Sequence, residues 1–205
     1  MKNNTSSVLF AAFMTLAVAA GASAQTATWE IDASHSTLGF GVKHLMVSTV
    51  RGQFNSFKAS MQTTGDDPAT AKITVSIDAA SIDTGVAKRD EHLRSADFFE
   101  VAKFPTITFV SRNVEKTATG LKVTGDLTMR DVTKEVVLDV SEIVGPVKDP
   151  WGNSRVGAYA TMALNRKDFG LKYSAAMETG GLVVANEVAL VLDVQFVKVQ
   201  AAATK

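Results

Sequence analysis

The chain has 205 residues, with 21 lysines and arginines set against 21 aspartates and glutamates, and it contains no cysteine. Balanced charge without a basic block argues against a nucleic-acid partner. The missing thiol removes thiolate chemistry, a disulfide framework and lipid attachment through an N-terminal cysteine, so an apolar core must stabilise the fold.

The first 24 residues read as a secretory leader. Lys2 gives a weakly positive start, VLFAAFMTLAVAA from Val8 to Ala20 is apolar, and Ala22-Ser23-Ala24 places small residues where signal peptidase reads. The apolar run falls short of the ~20 residues that a membrane span needs, which makes a retained anchor the weaker alternative. The expectation is an exported, periplasmic protein whose mature chain, residues 25–205, is one domain.

Beyond the leader the dominant period is two. TLGFGVK puts Leu38, Phe40 and Val42 on one strand face, and KITVSID does so with Ile73, Val75 and Ile77. Between them, VRGQFNSFKASMQ breaks the alternation, because Phe54 and Phe57 sit at odd spacing; a bulge near Asn55 is expected to turn both inward.

RDEHLRSADFF follows. The spacing predicts a short helix over Val86–Ser95, capped by Asp83 or Thr84, with Glu91 and Arg94 paired across one turn. Leu93, Phe98 and Phe99 would anchor it. A catalytic cluster needs a nucleophile, an orienting group and an oxyanion donor, and the sequence supplies no such set around His92. The segment is expected to be architecture at one barrel end.

GLKVTGDLTMR, EVVLDV, RVGAYATMALN and EVALVLDVQFVKV then continue the alternation. TTGDDPAT, EKTATG and DPWGN supply turns, and Asp168 with Gly170 supplies another. About eight such strands predict an all-β domain, an eight-stranded antiparallel barrel with a short helix packed across it. Closure removes the exposed edges of an open sheet. Slender residues, Gly39, Gly41, Gly52, Gly125, Ala158, Ala160 and Ala189, lie in or beside the strands and would leave room inside.

The three histidines, His35, His44 and His92, show no HExxH or HxH spacing. No metal site, cofactor or catalytic residue is expected from them.

Four ordered segments carry a resemblance. They are IDASHSTLGFGVKHLMVSTVRGQFNSF, SIDTGVAKRDEHLRSADFFEVAKFPTITFVS, GDLTMRDVTKEVVLDV and LNRKDFGLKY. From about Thr28 to Val199 the chain resembles the YceI-like family of secreted, lipocalin-like barrels that bind polyisoprenoids. The resemblance implies an extended barrel with a helix across it, a long apolar pore for an isoprenoid tail, and the role of a carrier.

On that reading the inward positions are the candidate lining: Leu38, Phe40, Val42, Phe54, Phe57, Ile73, Val75, Ile107, Phe109, Val123, Leu127, Leu138, Val140, Met162 and Leu164. Each methylene buried there is worth about 0.8 kcal/mol. A head group would meet His35, His44, Arg89, His92 and Arg166 at a barrel mouth, a pyrophosphate preferring the arginines. The expected partners are an isoprenoid lipid and, for cargo exchange, a membrane or membrane protein. Two alternatives are a histidine- or metal-assisted enzyme acting on a lipid, and a filled barrel without cargo.

Overall fold

A computed structural model of the chain describes residues 25–173 and 183–200. The leader read over residues 1–24 lies outside the described residues.

The first strand, β1 (Thr26–Ile31), alternates Ala27, Trp29 and Ile31 with polar residues, and Trp29 is almost fully buried. The backbone breaks at Asp32, whose carboxylate accepts from Ser34 N at 3.1 Å and holds a short 3-10 turn. It resumes as β2 (Thr37–His44) and returns as β3 (Ser48–Phe54). After the corner Asn55–Ser56 come β4 (Phe57–Thr64), β5 (Asp67–Asp78) and the short β6 (Ile82–Asp83). Helix α1 (Ala87–Arg94) leads into β7 (Thr106–Lys116), β8 (Leu121–Met129), β9 (Val132–Lys148), β10 (Ser154–Asn165) and β11 (Val184–Lys198).

Eight of these strands close a ring in the order β1-β4-β5-β7-β8-β9-β10-β11, sealed where β11 pairs back onto β1 at Trp29↔Lys198 and Ile31↔Phe196. The other three extend that wall. β2 adds to β11, β3 to β2 and β6 to β3. Thus β1/β2, β3/β4 and β5/β6 are each one long pass of chain, bent part way, and the expected eight-stranded antiparallel barrel is what forms.

The expected bulge at Asn55 is a corner instead. Asn55 N donates to Ser81 O and its side chain donates to Asp83, pinning the bend as the chain leaves β2 and joins β1 and β5. The odd spacing of Phe54 and Phe57 is absorbed by changing partners rather than by one extra residue within a ladder.

Two apolar clusters line the interior. One gathers Phe54, Ile82, Phe98, Ile107, Phe109 and Phe169 beneath α1; the other gathers Trp29, Met61 and Phe196.

Helix α1 departs from its expected capping. Its N-cap is Val86, which makes no side-chain bond. Asp83 accepts from Gly85 N instead, and the buried Asp90 reaches back from the helix to accept from Thr84 N at 2.9 Å and from the Thr84 hydroxyl. Glu91 and Arg94 are not paired in the structure: Arg94 donates to the carbonyls of Ala80 and Ile82, tying the helix to the bend before β6. After β10, a 3-10 turn over Arg166–Phe169 ends at Gly170 with φ 78°, a left-handed position that favours glycine.

Candidate functional site

Between the two apolar clusters the barrel interior stays open. A cavity of about 230 Å³ runs from Trp29, Met61 and Phe196 at one end to Phe54, Ile107 and Leu127 at the other. Its wall is hydrocarbon almost throughout, the polar side chains being Thr63 and Asp66. Thr63 is occupied, accepting from Trp29 Nε1 at 3.0 Å and donating to Gly65 O at 2.6 Å. Asp66 pairs with Lys198 at 2.9 Å.

The exposed residues of the wall locate the mouth. They are Asp66, Ile143, Gly145 and Pro146, in the β4–β5 turn and the last part of β9. The opposite end is a floor, built by α1 and the segment after it. Arg130 welds that floor: its guanidinium pairs with Glu100 and donates to the carbonyls of Phe98 and Gly170.

Among the residues read from the sequence as lining, Leu38, Phe54, Ile73, Val75, Ile107, Phe109, Val123, Leu127, Leu138, Val140 and Met162 form part of the cavity wall. Phe40, Val42, Phe57 and Leu164 do not. Phe40 packs at 5.9 Å from Phe54, whose ring meets Phe99 edge-on at 5.8 Å, so it belongs to the floor. Leu164 is buried in the same cluster. Val42 and Phe57 are half-buried towards strand ends, beyond the hollow part of the barrel.

Wall residues that the sequence reading passed over come mainly from β1, β4, β10 and β11: Trp29, Met61, Val156, Leu192 and Phe196. A signal was present in TATWEI and in FKASMQT, where apolar or small residues alternate as cleanly as in the strands that were read.

The five expected head-group residues are not at the mouth. His35 lies on the outer wall, mostly exposed, 2.9 Å from Asp32. His44 ends β2, opposite Ser48 and Val184. Arg89 donates to both the hydroxyl and the carbonyl of Thr84, at 2.7 and 2.8 Å. His92 meets Asp97 at 2.8 Å and stands edge-on to Phe98 and Tyr173. Arg166 is buried, donates to the carbonyls of Ala185, Leu171 and Val184, and has its pKa pushed down by desolvation. Its work is to staple the turn after β10 to the start of β11. Among the described residues, no three His, Cys, Asp or Glu side chains converge as a metal site.

One polar knot lies outside the cavity. Asp32 binds Ser34, Arg155 and His35, and these contacts outweigh burial to hold its carboxyl far below the usual range. Arg155 also donates to Asp149 at 2.7 Å. This knot fixes the bend between β1 and β2 to the β9–β10 turn.

The closed barrel has known counterparts. The YceI-like domain model matches residues 29–196. Protein YceI of Escherichia coli O17:K52:H18 is 40% identical over 168 residues, covering 81% of this chain and 87% of that protein. A UPF0312 protein of Staphylococcus aureus (strain MSSA476) is 39% identical over 166 residues, covering 80% and 94%. Among solved structures, a Campylobacter jejuni YCEI protein is similar at TM-score 0.66 and 31% identity, covering 77% of this chain and 90% of that one. A polyisoprenoid binding domain from Saccharophagus degradans shares the fold at TM-score 0.58 and 18% identity, covering 82% and 97%. Matching the family model along nearly the entire barrel, this chain belongs to the YceI-like family.

Proposed function

We propose that this protein binds a long apolar isoprenoid lipid, of the polyprenyl or isoprenoid-quinone type, inside the barrel, and carries or sequesters it in the periplasm. The observation that carries this reading is the hydrocarbon-walled cavity with one floor and one mouth. The wall along β8, from Leu121 to Met129, is roughly 20 Å tall after allowing for strand tilt. A thin, flexible chain fits such a slot, and each methylene leaving water contributes about 0.8 kcal/mol. The ligand class named for the Saccharophagus degradans domain, which shares this fold, supports the same class here.

A binding protein is favoured over an enzyme because the polar groups near the ligand space are already engaged. Thr63 and Asp66 have their own partners in the wall, and Arg89 and Asp90 are closed around Thr84. The leader over residues 1–24 supports export.

The test is organic extraction of protein purified from its own periplasm, followed by mass spectrometry. An isoprenoid recovered in near-stoichiometric amount is expected. Protein that yields none, and takes up none when offered a polyprenol, would overturn the reading. Recovery from the periplasmic fraction with Gln25 as first residue checks the location.

A further inference from the structure

The end of the β9–β10 hairpin stands clear of the rest of the wall. β8 pairs with β9 only from Val132 to Val140, so Ser141–Lys148 has a neighbour on one side alone, in β10. From Glu142 to Lys148 every residue is exposed, on both faces of the strand. The ribbon therefore projects past the rim, and its sequence there is EIVGPVK. Val144 is 60% exposed, Val147 53% and Trp151, at the tip, 80%.

Nothing about this tip is loosely built. Asp149 accepts from Trp151 N at 3.0 Å and Asn153 N at 2.8 Å, while Arg155 clamps its other oxygen. The indole is thus displayed on a braced turn instead of being buried.

We propose that this hairpin is a membrane-docking flap that seats the cavity mouth on a lipid bilayer. The proposal rests on the carrier reading above and names the surface through which cargo passes. Three features favour a bilayer. First, the exposed apolar surface is continuous with the cavity, since Ile143 and Pro146 belong to both. A lipid crossing from mouth to membrane would meet hydrocarbon all the way. Second, a tryptophan beside an exposed lysine, Lys148, is the pairing that anchors proteins at the headgroup level. Third, Asp66 and Asp149 are paired with Lys198 and Arg155, and on the ribbon itself the exposed Glu142 is balanced by the exposed Lys148, so the ribbon offers no net negative charge to an anionic leaflet.

A second copy of the chain, adding its own strand to this edge, fits less well. Glu142 at φ 49° and Gly145 at φ 108° break the extended run, and Pro146 has no N–H to donate, so the edge cannot extend a ladder.

Trp151 makes the test direct, because the other tryptophan, Trp29, is only 1% exposed and acts as an internal reference. Full-length mature protein is mixed with vesicles of phosphatidylethanolamine and phosphatidylglycerol. The expected result is a blue shift of the emission, quenching by brominated acyl chains, and co-flotation. In Trp151→Ser the shift should vanish, and in Trp151→Ser with Val147→Ser flotation should fall about tenfold. Neither residue lines the cavity, so both variants should still bind a polyprenol offered in detergent solution.

Isoprenoid recovered from a protein that neither shifts nor floats overturns the docking surface and leaves the carrier reading standing. An empty extraction with hairpin-dependent flotation does the reverse. A mass that doubles in solution through this face, with no response to vesicles, overturns docking in favour of a contact between copies.

Discussion

A Cβ added at Gly125 would lie 2.5 Å from the Phe109 ring and 2.5 Å from the carbonyl oxygen of Val110; at Gly52 it would meet the Phe40 ring at 2.5 Å. These glycines, counted from the sequence as room for a ligand, are already filled by neighbouring phenyl rings. The room is left instead by Ala158 and Ala160, together with Ala59 and Ala71. At the same scale Asp149 controls the hairpin. Burial works against its ionised form, but Arg155, Asn153 and Trp151 outweigh this and hold its pKa at about 2, against an ordinary 3.8. A depressed carboxylate contributes stability in full above its unfolded pKa and loses it as pH falls through the folded one. The contribution should therefore be complete above about pH 4 and fade as pH drops towards about 2. The protection of the Trp151 and Asn153 amides, measured against the intrinsic exchange rate at each pH, is expected to fall across that window. Asp149→Asn should exchange fast at neutral pH too.

Among the elements, α1 is the least able to stand alone. It has 8 residues, no side-chain cap, and a largely polar sequence, AKRDEHLR. Isolated helices of that length are not stable in water, so tertiary bonds must hold it. Those bonds come from the charged residues of RDEHLR, expected from the sequence to be architecture. Arg89 and Asp90 close around Thr84, and Arg94 reaches the carbonyls of Ala80 and Ile82. Asp90→Ala would leave the Thr84 N–H and hydroxyl without their acceptor inside the fold. A loss of about 2–3 kcal/mol is expected, read as a lower urea midpoint, with faster amide exchange over Thr84–Ser95. An unchanged midpoint would mean that the knot is not what secures the floor.

For the molecule as a whole, closure of the ring and hollowness of the ring are separate achievements. Closure follows from pairing β11 with β1. Hollowness depends on small side chains facing inward from β10, where Ala158 and Ala160 line the cavity with β5 on the far side of the ring. Ala158→Phe should fill the slot from within. The folded protein is expected to keep its barrel, by circular dichroism and thermal melting, yet give little or no isoprenoid on extraction. Full cargo retention in a folded Ala158→Phe protein would place the ligand elsewhere.

The period-two pattern by itself determined the strands, their inward faces and the all-β class, because alternation is a local property of a pleated chain. It also carried part of the cavity wall, since Leu38, Ile73, Val123 and Leu138 face inward by parity alone. The head-group residues were not legible in this way. His35, Arg89, His92 and Arg166 carry the right chemistry for a polar mouth, but each is engaged by a neighbour that only the folded turns bring into reach: Asp32 for His35, Asp97 for His92, and backbone carbonyls for the two arginines. Which end opens was likewise a tertiary decision. It turns on β9 outrunning β8 beyond Val140 while α1 folds across the other rim, and strand lengths relative to neighbours exist only once the strands have paired.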